Sequence, residues 1–99
     1  MSFKKEDIYK ALETITAPGE GKSLIENNNV ISHHCIIKDH CYITSQTIIA
    51  GHVTVESNCF LGINCTIRNR IKIEKESLIG AGAVILKNTK EKEVYSANT

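Results

Sequence analysis

From Ile37 onward every sixth residue is aliphatic: Ile37, Ile43, Ile49, Val55, Leu61, Ile67, Ile73, Ile79 and Ile85, nine positions of nine. Ile31 and Ile25 extend the series backwards. Two residues before each member stands a mostly small or β-branched residue: Cys35, Cys41, Thr47, Val53, Cys59, Cys65, Ile71, Ser77 and Ala83. Residues two apart in a strand face the same side, so each unit sends a pair of side chains inward. Three residues after the aliphatic, the chain often places a residue that tolerates left-handed backbone angles, as at Asn58, Asn64 and Gly82. A unit of six is therefore one short strand and one corner. Three units close a triangular coil of 18 residues, and the next coil stacks in parallel about 4.8 Å away. Repetition buries what a single unit cannot.

The pattern predicts a mainly β protein: a parallel β-helix of about three to four triangular coils over residues 25–90. Residues 18 apart should sit one above another, giving core columns Ile37–Val55–Ile73, Ile43–Leu61–Ile79 and Ile49–Ile67–Ile85, with Cys41 beside Cys59. No stretch across 37–85 has the 3.6-residue period of an amphipathic helix. Ahead of the repeats the period changes. Ile8, Ala11, Leu12 and Ile15 share one face of a helix predicted over Lys4–Thr16, which Pro18-Gly19 ends. Such a helix would cap the sticky edge of the first coil. The expected organisation is a helix and linker over 1–24, the β-helix over 25–90, and a tail over 91–99 that begins in the Lys-Glu-Lys-Glu run.

Composition refines this picture. Hydrophobic residues make up 41% of the chain but aromatics only 5%, with no Trp, as expected of a core of stacked small aliphatics. The formal charge of +1, from 12 basic and 11 acidic residues, points to neither a nucleic-acid nor an anionic-membrane partner. No run of apolar residues is long enough to span a bilayer, and the amino terminus lacks the apolar stretch of a signal peptide, so a cytoplasmic location is expected. The four cysteines are spaced by 6, 18 and 6 residues and form no C-x-x-C pair. They follow the repeat as small core filler, and no metal is expected.

The segments Ile31-Ser32-His33-His34-Cys35, Ala50-Gly51-His52-Val53, Asn58-Cys59-Phe60-Leu61-Gly62-Ile63-Asn64 and Ile79-Gly80-Ala81-Gly82-Ala83 resemble the hexapeptide acyltransferases. Within them, the resemblance is to the branch of sialic-acid O-acetyltransferases and aminosugar N-acetyltransferases. Val94-Tyr95-Ser96-Ala97-Asn98 is similar to the family's ending, with Ala97 in place of Gly and the following Pro missing. The resemblance implies that the β-helix is left-handed, a hand that period alone does not give. A second resemblance covers Lys5–Val30, where Ala11-Leu12-Glu13-Thr14-Ile15 and Ala17-Pro18-Gly19-Glu20-Gly21-Lys22 are similar to the start of the amino-terminal domain of Mrp-type P-loop ATPases. The chain thus reads as a fusion. Gly21-Lys22-Ser23 is not a phosphate loop, because Thr16 stands where a Walker A motif needs its first Gly.

The acyltransferase resemblance implies acetyl-CoA as acyl donor, a sugar or nucleotide-sugar acceptor, and homotrimers with active sites between subunits. His33 aligns with the catalytic histidine, and Gly51 with the glycine whose backbone N–H faces the thioester carbonyl. The register adds its own support, because His33 and Gly51 are 18 residues apart and so stack. Gly62, Asn64, Gly80 and Gly82 match the turns along which the pantetheine arm lies; as residues alone they read as corners with unusual backbone angles. His34, His40 and His52 read as solvated corner residues. Relatives carry a carboxylate beside the catalytic histidine, and here that place is held by His34. Acyl transfer needs a base and an oxyanion donor, which His33 and Gly51 would supply. Two other readings remain: a non-catalytic β-helix serving as a trimerisation module, and an iron–sulfur carrier fragment. The latter lacks both a phosphate loop and a C-x-x-C pair.

Overall fold

A computed structural model describes residues 23–97. The helix expected over Lys4–Thr16 and most of the Mrp-like segment lie outside the described residues, as does Asn98 of the tail motif. The described residues form twelve two-residue strands: β1 (Leu24–Ile25), β2 (Val30–Ile31), β3 (Ile36–Ile37), β4 (Tyr42–Ile43), β5 (Ile48–Ile49), β6 (Thr54–Val55), β7 (Phe60–Leu61), β8 (Thr66–Ile67), β9 (Lys72–Ile73), β10 (Leu78–Ile79), β11 (Val84–Ile85) and β12 (Val94–Tyr95). They build the three faces of a parallel β-helix of about four turns. Face A orders β1-β4-β7-β10-β12, face B β2-β5-β8-β11, and face C β3-β6-β9.

The register is the one the period demands. Ile37 pairs with Val55 and Val55 with Ile73 on face C; Ile43, Leu61 and Ile79 align on face A; Ile49, Ile67 and Ile85 align on face B. From β4 to β11 the second residue of each strand is buried and the first is exposed or half-buried. Ile43, Ile49, Val55, Leu61, Ile67, Ile73 and Ile79 are fully buried, each contributing roughly 1.5–3 kcal/mol. The first coil differs, since its Ile25 and Ile31 stay 44% and 37% exposed.

Buried polar groups are paired locally. The Thr47 hydroxyl donates to the Thr44 carbonyl at 3.0 Å, and the Ser77 hydroxyl to that of Glu74 at 2.6 Å. The thiols of Cys35, Cys41 and Cys59 each donate at 3.0 Å to a carbonyl fifteen residues ahead, at Ala50, Glu56 and Glu74. All four cysteines are unpaired. The Cys41 thiol and burial push the Cys59 thiol up, and burial pushes Cys65 up to about 11. Neither is poised as a thiolate; they fill the core.

Corners repeat as strictly as strands. Asn28, His34, His40, Gln46, His52, Asn58, Asn64, Arg70, Glu76 and Gly82 recur every six residues, all with φ between 57° and 72°. The coil imposes this left-handed conformation on whatever residue stands there. Asn and His adopt it more readily than most.

The final coil breaks the count. β12 aligns Val94 with Leu78, sixteen residues back rather than eighteen. The segment read as a tail thus adds a fifth strand to face A. Face C ends early, and side chains take over from the missing strand: Asn88 Oδ1 accepts from the Lys72 N–H and Thr89 Oγ1 from the Glu74 N–H, each at 2.8 Å. Among the described residues there is no helix, and none long and apolar enough to cross a membrane.

Candidate active site

The residues singled out in the sequence fall at two different corners of the prism. His33 and Gly51 share the corner between faces B and C, on successive coils. Gly62, Asn64, Gly80 and Gly82 share the corner between faces A and B, also on successive coils. Face B separates the two groups, so within one chain the structure brings each group together but not both.

At the B–C corner the imidazole of His33 lies against Gly51. A Cβ added to Gly51 would meet His33 Cε1 at 2.9 Å and Nε2 at 3.0 Å. Room left by this glycine is therefore filled by the imidazole itself. The coils are locked here by the His52 N–H, which donates to the His33 carbonyl at 3.0 Å. No acceptor among the described residues takes the Gly51 N–H. Ser57, Ile63 and Ala81, the equivalent residues of other corners, share that property. An amide without an acceptor among the described residues thus recurs at these corners, although the Ser45 N–H donates to Glu26 Oε1 at 3.1 Å, and what distinguishes Gly51 is the imidazole beside it.

His33 is exposed and, unlike His34, His40 and His52, is not in the left-handed corner position. Backbone demand therefore accounts for the other three histidines and not for this one. Its Nδ1 lies 3.0 Å from Nδ1 of His34, so His34 fills the place where a carboxylate was expected. One nitrogen must donate and the other accept. If the proton sits on His33 Nδ1, the lone pair of its Nε2 is free to act as a base; the opposite tautomer blocks it. A neutral imidazole can hold the ring in place, but it stabilises an imidazolium less than a carboxylate would.

His52 completes the cluster, a contact that the sequence reading missed. Its ring stacks on that of His34 with centroids 4.8 Å apart and planes 2° apart, and meets His33 edge-on at 5.1 Å. The available signal was the coil period, because His34 and His52 are separated by the same 18 residues as His33 and Gly51. Desolvation, then the charges of Arg70, His34 and His33, hold the His52 pKa below the ordinary imidazole value. One nitrogen from each ring comes within 4.8 Å of the others, so these three residues could hold a metal ion.

The A–B corner is governed by backbone. A Cβ on Gly62 would lie 2.6 Å from the Ala81 nitrogen and 2.7 Å from the Ile79 carbonyl oxygen. The neighbouring coil leaves no space for one. Gly80 is less restricted, its nearest contact being 3.2 Å from the Tyr95 carbonyl oxygen. Only Asn64 (φ 59°) and Gly82 (φ 72°) of the four have the unusual angles expected of them.

Residues 52–87 match the family described as bacterial transferase hexapeptide (six repeats). A mutant of perosamine N-acetyltransferase from Caulobacter crescentus, solved in complex with CoA and GDP-perosamine, aligns with a TM-score of 0.73 and 22% identity over 75% of this chain and 35% of that one. At that identity the likeness is one of fold. The acetyltransferase domain of PglB from Neisseria gonorrhoeae aligns more loosely, with a TM-score of 0.42 and 15% identity over 95% of this chain and 64% of that one. The chain thus spans about a third of the first protein and under two thirds of the second domain. No curated protein sequence matches it significantly.

Proposed function

We propose that this chain, which matches the bacterial transferase hexapeptide family over residues 52–87, transfers an acetyl group from acetyl-CoA to a sugar hydroxyl or amine. The observation that carries the reading is the seating of His33 over Gly51, an imidazole placed by tertiary contact at a corner where no backbone requirement calls for it.

In this reading His33 Nε2 accepts the proton that the acceptor's hydroxyl or amine loses as it attacks the thioester carbonyl. His33 then returns that proton to the departing thiolate as the C–S bond breaks, so the base is regenerated. The N–H of Gly51, which has no acceptor among the described residues, is the donor offered to the developing oxyanion. His34 fixes the ring through the Nδ1 contact of 3.0 Å. The CoA complex of the C. crescentus protein supports an acyl-CoA donor, and its GDP-sugar supports a nucleotide-sugar acceptor.

The separation of the two corners calls for a second copy, and the family resemblance makes the assembly a homotrimer. If Gly62, Asn64, Gly80 and Gly82 line the pantetheine arm, they must come from a neighbouring copy. The face between the corners is suited to contact, with Val30, Ile48 and Val84 exposed by 58%, 44% and 60% in one outward column. Sedimentation at micromolar concentration is expected to give three times the 11.0 kDa chain mass; a monomer throughout that range contradicts the inter-subunit site. Four unpaired thiols fit a reducing compartment such as the cytoplasm.

The experiment is calorimetric titration with acetyl-CoA, followed by turnover with a panel of aminosugars and nucleotide sugars. Coenzyme binding with acetyl transfer supports the proposal. Neither binding nor transfer would establish the alternative, a β-helix that serves as an oligomerisation module without chemistry.

A further inference from the structure

We propose that His33, His34 and His52 form a binding site for one divalent transition-metal ion of the Zn²⁺, Ni²⁺ or Cu²⁺ type. This is independent of the acetyltransferase reading, since it concerns what the three rings hold and not what they catalyse.

The geometry is set by backbone rather than by chance approach of long side chains. His34 and His52 occupy the same left-handed corner position on adjacent coils, with φ of 57° and 59°, and the His52 N–H to His33 carbonyl bond ties those coils at 3.0 Å. Three imidazoles are thereby held on one exposed patch, with a ligand nitrogen from each inside 4.8 Å of the others. Tetrahedral coordination at about 2.0–2.1 Å requires nitrogens about 3.3 Å apart. His33 Nδ1 and His34 Nδ1, at 3.0 Å, are already near that spacing. The remaining closure is a rotation of solvent-exposed rings about their side-chain torsions, which the stacked pair must leave on binding.

The donor set selects the ion. Imidazole nitrogens alone suit Zn²⁺, Ni²⁺ and Cu²⁺ and are poor ligands for Mg²⁺ and Ca²⁺, which want oxygen. A ligating imidazole must be neutral, so binding is expected to weaken as pH falls. Arg70, the next corner residue of the same column, opposes a bound cation. The expected site is therefore one of moderate affinity, with a coordination position left open to solvent. An ion on His33 Nδ1 leaves the neutral ring's one proton on Nε2, the atom that base catalysis requires unprotonated, so metal binding and acetyl transfer would exclude each other.

The test uses the full chain, free of any added histidine tag, titrated with Zn²⁺ by calorimetry and with Co²⁺ by visible absorption. One ion per chain is expected, with the intense visible bands of four-coordinate Co²⁺. His34→Asn and His52→Asn keep a residue that tolerates the left-handed corner, and thermal melts confirm that each variant folds. Each is expected to weaken binding at least ~10-fold, the scale on which ligand-shell losses act, whereas His40→Asn, at another corner, leaves it unchanged. Arg70→Asn is expected to tighten binding. Absence of binding at micromolar metal, a stoichiometry other than one, or affinity that survives His52→Asn overturns the proposal.

Discussion

At the corner between faces A and B, three of the four residues proposed for the coenzyme are ones the coil itself demands. Gly62 is enforced by the backbone of the next coil, 2.6 Å from where its Cβ would be, and Asn64 and Gly82 sit in left-handed conformations. At the corner between faces B and C the balance reverses. His33 satisfies no backbone requirement, and the space at Gly51 is taken by that imidazole. Residue identity therefore speaks for function at the second corner and mainly for the fold at the first. In a repeat protein the informative residue is the one that its place in the repeat does not explain.

The sharpest way to break this comparison is to add one methyl group at each corner. Gly62→Ala drives a Cβ into backbone that cannot yield, and is expected to cost about 1–3 kcal/mol, a fall in Tm of roughly 4–8 °C for each kcal/mol. At Gly51 the three atoms nearest an added Cβ all belong to the far end of the His33 side chain, which can swing away, so the stability cost of Gly51→Ala should stay within about 0.5 kcal/mol while acetyl transfer falls. Thermal unfolding of the two variants decides it: equal losses at both would erase the distinction drawn here.

A smaller effect sharpens the electrostatics of the histidine cluster. His52 is expected to titrate below the usual ~6.5 of a free imidazole, because desolvation and the charges of Arg70, His34 and His33 disfavour its protonated form. The sign follows: as pH falls, His52 stays neutral to lower pH than an isolated histidine. Arg70→Asn removes a positive neighbour and should move the value back up. Histidine ring signals followed by NMR across pH 5–8 report both. An unshifted His52, or one that ignores Arg70→Asn, contradicts the arrangement of rings described.

Much of this architecture was legible because a short strand reports its inward residue at a fixed place. The series from Ile37 to Ile85 gave the three core columns directly, and the spacing of 18 set His33 over Gly51. The same spacing joined His34 to His52, but inspection of each histidine as a lone corner residue hid the pair. The last coil was opaque for another reason. Glu91 interrupts the aliphatic series, and hydrogen bonding passes to the side chains of Asn88 and Thr89, a substitution that no hydrophobic period reports. The outward column of Val30, Ile48 and Val84 carries no such marker, because outward strand positions mix apolar residues with Thr54, Thr66 and Lys72.

The most direct measurement is the steady-state rate of acetyl transfer for His33→Ala beside His40→Asn, a histidine at a corner outside the cluster. His33→Ala is expected to lower the rate by roughly 10²–10⁴-fold, the usual contribution of a general base, with acetyl-CoA affinity little changed and His40→Asn at the wild-type rate. A His33→Ala enzyme that keeps full activity, or a wild-type protein that neither binds acetyl-CoA nor acetylates any acceptor in the panel, would contradict the account.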